Sequence, residues 1–188
     1  MAGKKSLDAQ ELWLDYGVDV AARKLFWSGD VDSDFAYRCI AGLHLLPGTA
    51  PISVSIQSYG GSVDEMFAIY DAVKAFPGEV TMTVSGYACS AGCIILQAAD
   101  RRLVRPNAFI MHHVGEGGYG SQHPRNLKLA QKWYDVQLRR MEEILYAKIK
   151  EKNPKFSLES FRNRHDWDHY LSATEAVEWG LADEVTEE

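Results

Sequence analysis

Apolar residues along this chain switch between two spacings, and the switch predicts alternating strands and helices. Lys24 to Gly29 (KLFWSG) reads as a strand ending in a Gly-Asp turn. From Asp32 to Leu46, the residues Phe35, Cys39, Ile40, Leu43 and Leu46 recur at helical spacing, with Asp32 or Ser33 as cap and Pro47-Gly48 as stop. Ile52, Val54 and Ile56 then alternate with Ser53, Ser55 and Gln57, the pattern of a half-buried strand. Gly60 and Gly61 follow, and Ser62 with Glu65 makes a capping box. That box leads into a helix carrying Met66, Ile69 and Val73 on one face, stopped by Pro77-Gly78.

Glu79 to Gly86 (EVTMTVSG) predicts a second, buried strand, and SAGCIILQAA a short apolar helix opening at Ser90. Arg101 to His113 supplies one or two more strands, closing on His112. After the glycine-rich VGEGGYGSQHP, Pro124 suits the first turn of the longest helix. Its apolar stripe is Leu127, Ala130, Tyr134, Leu138, Met141, Leu145 and Ile149, and the pattern breaks at KNPKFS. A helix capped by Ser172 and Glu175, a stop at Gly180 and a last short strand end the chain. Residues 1–22 read as an N-terminal arm and 23–188 as one α/β domain of βαβ units around a mainly parallel sheet.

Composition narrows the function classes. With 188 residues, 46% hydrophobic and 24% charged, the chain fits one domain with a substantial core. A net charge of -6 argues against a nucleic-acid binder. No apolar window is long enough to cross a bilayer, and no apolar run follows Lys4-Lys5 as in a secretory signal. Cys39, Cys89 and Cys93, an odd count without a CxxC pair, fit a reducing cytoplasm. Cys89 and Cys93 flank Ser90 and read first as small buried hydrophobes, with Cys89 as a distant candidate nucleophile.

In an open α/β sheet, active sites gather at the carboxyl ends of strands. Ser90, His112 and the Gly60-Gly61 pair all fall at such ends. Together they offer a nucleophile, a base and backbone donors. A serine hydroxyl attacks only when an imidazole takes its proton, and the imidazole needs a carboxylate to fix its tautomer. Glycines leave amide groups free to face an oxyanion. The bland alternatives are Ser90 as a helix N-cap and a solvated pair Asp166 and Asp168. His113 is the rival of His112, since neighbours on a strand point to opposite faces. His112, His113 and His123 lack a metal-ligand spacing, and no metal or other cofactor is expected.

The segments SYGGSV, GYACSAGC, FIMHH and DHYLSATEAVEWGLADEV, in this order, resemble the proteolytic subunit of the Clp protease (ClpP, serine peptidase family S14). The resemblance runs from about Lys24 to Val185, and its ending is long and gap-free. It implies a spiral of βαβ units like that of ClpP and the crotonases, with a protruding handle helix at about 113–150. Carried over by position, it makes Ser90 the nucleophile, His112 the base and Asp168 the carboxylate, with the amides of Gly61 and Ala91 as oxyanion donors. Gly117, Gly118, Tyr119 and Gly120 match the segment where the family holds an extended substrate as an added strand.

The resemblance also implies a homo-oligomer of heptameric rings stacked as a tetradecamer, cutting unfolded polypeptides in its chamber with a separate AAA+ unfoldase as partner. Nothing in the chain matches a nucleotide-binding loop. Tyr59 stands where relatives commonly have proline, and Trp167 where many have arginine. About six extra residues lie around AKIKEKNPKFS, and the first 22 residues do not resemble the family's usual N-terminal segment. Two rival functions are a crotonase-like acyl-CoA enzyme and an inactive scaffold subunit. The joint presence of Ser90, His112 and Asp168 argues against both.

Overall fold

The computed structural model describes residues 8–115 and 124–186, leaving aside the side chains of Pro124 and Arg125. The chain opens with α1 (Ala9–Tyr16), which Asp8 caps through a reciprocal box with Glu11. A two-residue strand β1 (Val18–Asp19) pairs antiparallel with β2 (Lys24–Ser28). Then come α2 (Ser33–His44), β3 (Ile52–Ser58), α3 (Val63–Ala75), β4 (Val80–Cys89) and α4 (Ala91–Leu96). Next are β5 (Arg101–Val104), β6 (Phe109–His112) and the long α5 (Pro124–Lys152). The chain closes with α6 (Leu158–His165), β7 (His169–Ser172), α7 (Ala173–Trp179) and β8 (Glu184–Val185).

Strands β2, β3, β4, β5 and β8 are parallel neighbours in that order. Besides β3, strand β4 is long enough to serve two further partners. Thr81 to Val84 pair with β5, whereas Tyr87 to Cys89 pair with β6. Gly86, at φ +103°, lies between the two segments, a backbone region that side chains rarely adopt. The sheet thus turns a corner. Beyond that corner lie β6 and the antiparallel β7. This is the expected α/β architecture of βαβ units.

The core lies between the sheet and α2, α3 and α4, with Leu25, Ile56, Met66, Ile69, Met82, Ile94 and Ile95 all buried. The stripe on α5 packs against it from Leu138 onward, with Met141, Leu145 and Ile149 buried. Leu127, Leu129 and Trp133, in the first half, are exposed.

Where the apolar pattern breaks, α5 ends at Lys152 and Asn153 to Phe156 form a turn, with Phe156 N–H donating to Asn153 O (2.9 Å). Helix α6 follows, capped by Ser157 and tied to α5 by a two-pronged Arg162–Glu142 ion pair (2.7 Å each). Its sequence, LESFRNRH, shows little apolar periodicity because only Phe161 and His165 are buried.

Candidate active site

Ser90 sits between the end of β4 and the first turn of α4. Its backbone takes φ 51° and ψ -118°, a conformation unfavourable for any residue with a side chain. Such a geometry is strained by about 1–3 kcal/mol and persists only where surroundings impose it. Here Ser90 N–H donates to Met111 O of β6 (2.8 Å), so β6 pins the turn. The N-cap alternative fails, because the Ser90 side chain makes no capping bond. Its hydroxyl instead lies 2.8 Å from Nε2 of His113.

The other nitrogen of that ring, Nδ1, is 3.1 Å from Oδ1 of Asp168. Serine, imidazole and carboxylate therefore form one continuous chain. Asp168 comes from the residue before β7, and its side chain is half exposed. Asp166, the rival carboxylate, is the C-cap residue of α6. The offset from Leu171 picks the carboxylate that faces the imidazole.

His112, expected as the base, is not in this chain. Along β6, Ile110 and His112 share the face turned to the interior, both at most 1% exposed. Phe109, Met111 and His113 share the other face by alternation, and Ser90 lies beside that one. His112 Nδ1 is 2.9 Å from Nδ1 of His165, and its Nε2 is 3.1 Å from Nδ1 of His169. Burial, then the neighbouring histidines, lower its pKa to about 3. A buried ring with both nitrogens engaged elsewhere is no base for Ser90. The signal was present in the sequence: His112 shares strand parity with Ile110, and His165 and His169 were available as partners.

The backbone around Ser90 is equally specific. Residues Gly60 and Gly61 bring the end of β3 against the Ser90 turn. A Cβ on Gly60 would lie 2.8 Å from both Cys89 O and Ser90 Cβ. One on Gly61 (φ +147°) would lie 2.4 Å from Val31 O. Val31 donates to Gly60 O (2.8 Å) and accepts from Ser62 N–H (2.7 Å), which turns the Gly61 amide the other way. Among the described residues, neither the Gly61 nor the Ala91 N–H has an acceptor. Tyr59 stacks on Tyr87 at 3.9 Å between ring centres, so the residue in place of proline clamps this turn by ring contact.

Beside these groups is a pocket of about 210 Å³ lined by Gly61, Val63, Ser90, Val114, Tyr134 and Met141, among others. Its lining mixes polar groups, Ser90 and His113 among them, with the apolar Val63, Val114 and Met141. Cys89, the competing nucleophile, is 1% exposed, and burial pushes its thiol up to about 11, so it remains protonated near neutrality. Trp167 is 77% exposed. Gly117, Gly118, Tyr119, Gly120 and His123 lie outside the described residues.

The family model described as Clp protease matches residues 9–188. The "ATP-dependent Clp protease proteolytic subunit 3" of Synechococcus sp. (strain CC9605) is 30% identical over 181 residues, covering 93% of this chain and 88% of that protein. Among solved structures, a point mutant of ClpP1 from Listeria monocytogenes superposes with a TM-score of 0.77 at 26% identity. That match covers 90% of this chain and 94% of the other.

Proposed function

Because the chain belongs to the Clp protease family, we propose that it is a serine endopeptidase whose nucleophile is Ser90, whose base is His113 and whose orienting carboxylate is Asp168. The observation that carries this reading is the unbroken contact chain, 2.8 Å from Ser90 Oγ to His113 Nε2 and 3.1 Å from His113 Nδ1 to Asp168. Asp168 holds the proton on Nδ1, which leaves Nε2 free to accept the serine proton. As Ser90 Oγ attacks the scissile carbonyl, the oxyanion meets the amides of Gly61 and Ala91. His113 then returns its proton to the leaving amine, and a water molecule, activated in the same way, releases the acyl group from Ser90. The strained backbone at Ser90 holds the hydroxyl toward the pocket before substrate arrives.

The wider reading follows from the family and from one surface. Exposed Leu127, Leu129 and Trp133 on the first half of α5 support assembly through this helix, in heptameric rings paired as a tetradecamer. Such a chamber admits extended chain, held through the segment Gly117 to Gly120, and leaves unfolding of folded substrates to an AAA+ partner. Among the described residues no helix is long and apolar enough to cross a membrane.

A fluorophosphonate probe tests the chemistry. It should label Ser90 in the full-length protein and fail on Ser90→Ala, with hydrolysis of a short peptide lost in parallel. Peptide hydrolysis that survives in Ser90→Ala would refute the assignment.

A further inference from the structure

Behind the Ser90 site lies a cluster that the proposed chemistry does not use. His165 of α6, His112 of β6 and His169 of β7 form a line, each linked to the next at 2.9 and 3.1 Å. The line is packed among rings. Phe161 stacks on His112 (5.8 Å between centres) and on His165 (4.8 Å), and Trp179 lies 4.5 Å from His169 and 5.7 Å from His112. The nitrogens face one another in sequence and do not converge on one point, so the arrangement is a chain of hydrogen bonds.

Its position matters more than its composition. Strands β6 and β7 are antiparallel, and the final pair of their ladder is His112 opposite His169. The residue after β6 is His113, and the residue before β7 is Asp168. Beyond that last rung, the two strand ends are joined by the His113–Asp168 contact, between side chains that are 19% and 55% exposed. A polar contact that open to water holds geometry weakly by itself. The rung beneath it is hydrogen bonded and has its His112 side buried.

We propose that His112 is a positioning residue, which through neutral hydrogen bonds to His165 and His169 locks the ends of β6 and β7 and so holds Asp168 against His113. This rests on the Ser90–His113–Asp168 reading above. A neutral imidazole carries one N–H, so His112 donates through one nitrogen and accepts through the other. One extra proton on His112 still leaves two donated bonds, although burial opposes the charge. A second proton anywhere in the line sets N–H against N–H and breaks a link. Acid therefore opens the lock by uptake of more than one proton. The pKa directions agree: burial lowers His112 to about 3 and His165 to about 4, and it lowers His169 as well.

Charged groups face the line from every side. Glu142 of α5 and Asp166 favour charge on His165, and His113 opposes it. Arg164 opposes charge on His169, while Glu175 of α7 favours it. The carboxylate of Glu142 is already engaged by Arg162.

The test compares full-length wild type with His112→Phe, which fills the space without hydrogen bonds, and His112→Gln, which keeps a polar end toward His169 and cannot titrate. Each is measured for short-peptide kcat and KM, for fluorophosphonate labelling of Ser90 against pH, and for melting temperature against pH. Loss of alignment at a reacting centre costs up to about 100-fold. His112→Phe should lose about 10- to 100-fold in kcat with KM little changed, and His112→Gln should recover most of it. The acid limb of wild-type labelling should be steeper than one proton and fall to one proton in His112→Gln. Wild type should also lose more melting temperature from pH 7 to pH 5 than His112→Gln does.

Wild-type kcat and an unchanged acid limb in His112→Phe would overturn the lock, as would identical melting profiles. If His112→Phe does not fold, His112→Gln and His169→Phe decide by the same profiles. A wild type that never labels at Ser90 refutes the peptidase reading instead, and the lock then stands or falls on the melting profiles.

Discussion

His112 and His113 are bonded neighbours, yet the two faces of β6 give them opposite chemistry. His113 looks into a pocket, with a hydroxyl on one nitrogen and a carboxylate on the other. His112 looks inward, 1% exposed, with imidazoles on both nitrogens and aromatic rings around it. A carboxylate partner stabilises an imidazolium, which is what the proposed proton transfer to His113 requires. Imidazole partners and burial favour a neutral ring. On the proposed reading, the end of one strand thus carries a proton acceptor and a neutral support, separated by a single peptide unit. The comparison teaches that a titratable residue acquires its role from the face it occupies, and residue type alone does not assign it.

The largest effect expected from this comparison is that of His113→Ala. Removing a catalytic histidine from a serine triad lowers kcat by up to about 10⁶-fold. Steady-state hydrolysis of a short peptide checks it, and a loss under tenfold would dissolve the contrast. Asp168→Asn comes next, with a fall of about 10³- to 10⁴-fold, because an amide favours the wrong tautomer of His113. Asp166→Asn, altering a C-cap residue of α6, should leave the rate within about threefold, in line with a surface substitution.

Gly61→Ala sharpens the comparison from the backbone side. Its Cβ would meet Val31 O, so the peptide must rotate and carry the amide off the oxyanion position. A loss of about 10²- to 10³-fold in kcat is expected for one donor, read on protein whose circular dichroism matches wild type.

The smallest effect concerns the inner face. The pKa values of His112, His165 and His169 lie below their ordinary value of 6.5 in the folded chain. The unfolded chain therefore binds more protons in acid. The stability these groups contribute is complete above about pH 6.5 and is lost as pH falls toward about 4 for His165 and about 3 for His112. Each such group removes up to about 1.4 kcal/mol per pH unit in that window. Chemical denaturation at pH 7 and pH 5 measures the difference, and equal stabilities would contradict a neutral inner face.

Much of this was legible in the chain. The alternation at Ile52 to Gln57, the Ser62 cap (without the reciprocal Glu65 bond expected of a capping box) and the apolar run after Ser90 correspond to β3, α3 and α4. Those elements each bury a regular stripe against the core, so periodicity reports them. Helix α6 and strand β7 gave little signal. Between them only Phe161, His165 and Leu171 are buried, and β7 is held by a partner some sixty residues away in the chain, Phe109 opposite Ser172.

Ser90 and Asp168 were readable as candidates because each has a fixed offset from a local motif. The choice between His112 and His113 was harder. Alternation says that they oppose one another, but the face that meets Ser90 depends on the corner β4 turns at Gly86. That corner is a tertiary fact. The parity with Ile110 was the one local clue to it.

The most direct test sets the two histidines against each other with the same replacement. Full-length His112→Gln and His113→Gln are exposed to a fluorophosphonate at neutral pH, and labelling of Ser90 is followed by intact mass. The geometry predicts that His113→Gln stays unlabelled while His112→Gln acquires one adduct at close to the wild-type rate. Labelling that survives in His113→Gln and vanishes in His112→Gln would contradict the assignment of the two faces of β6.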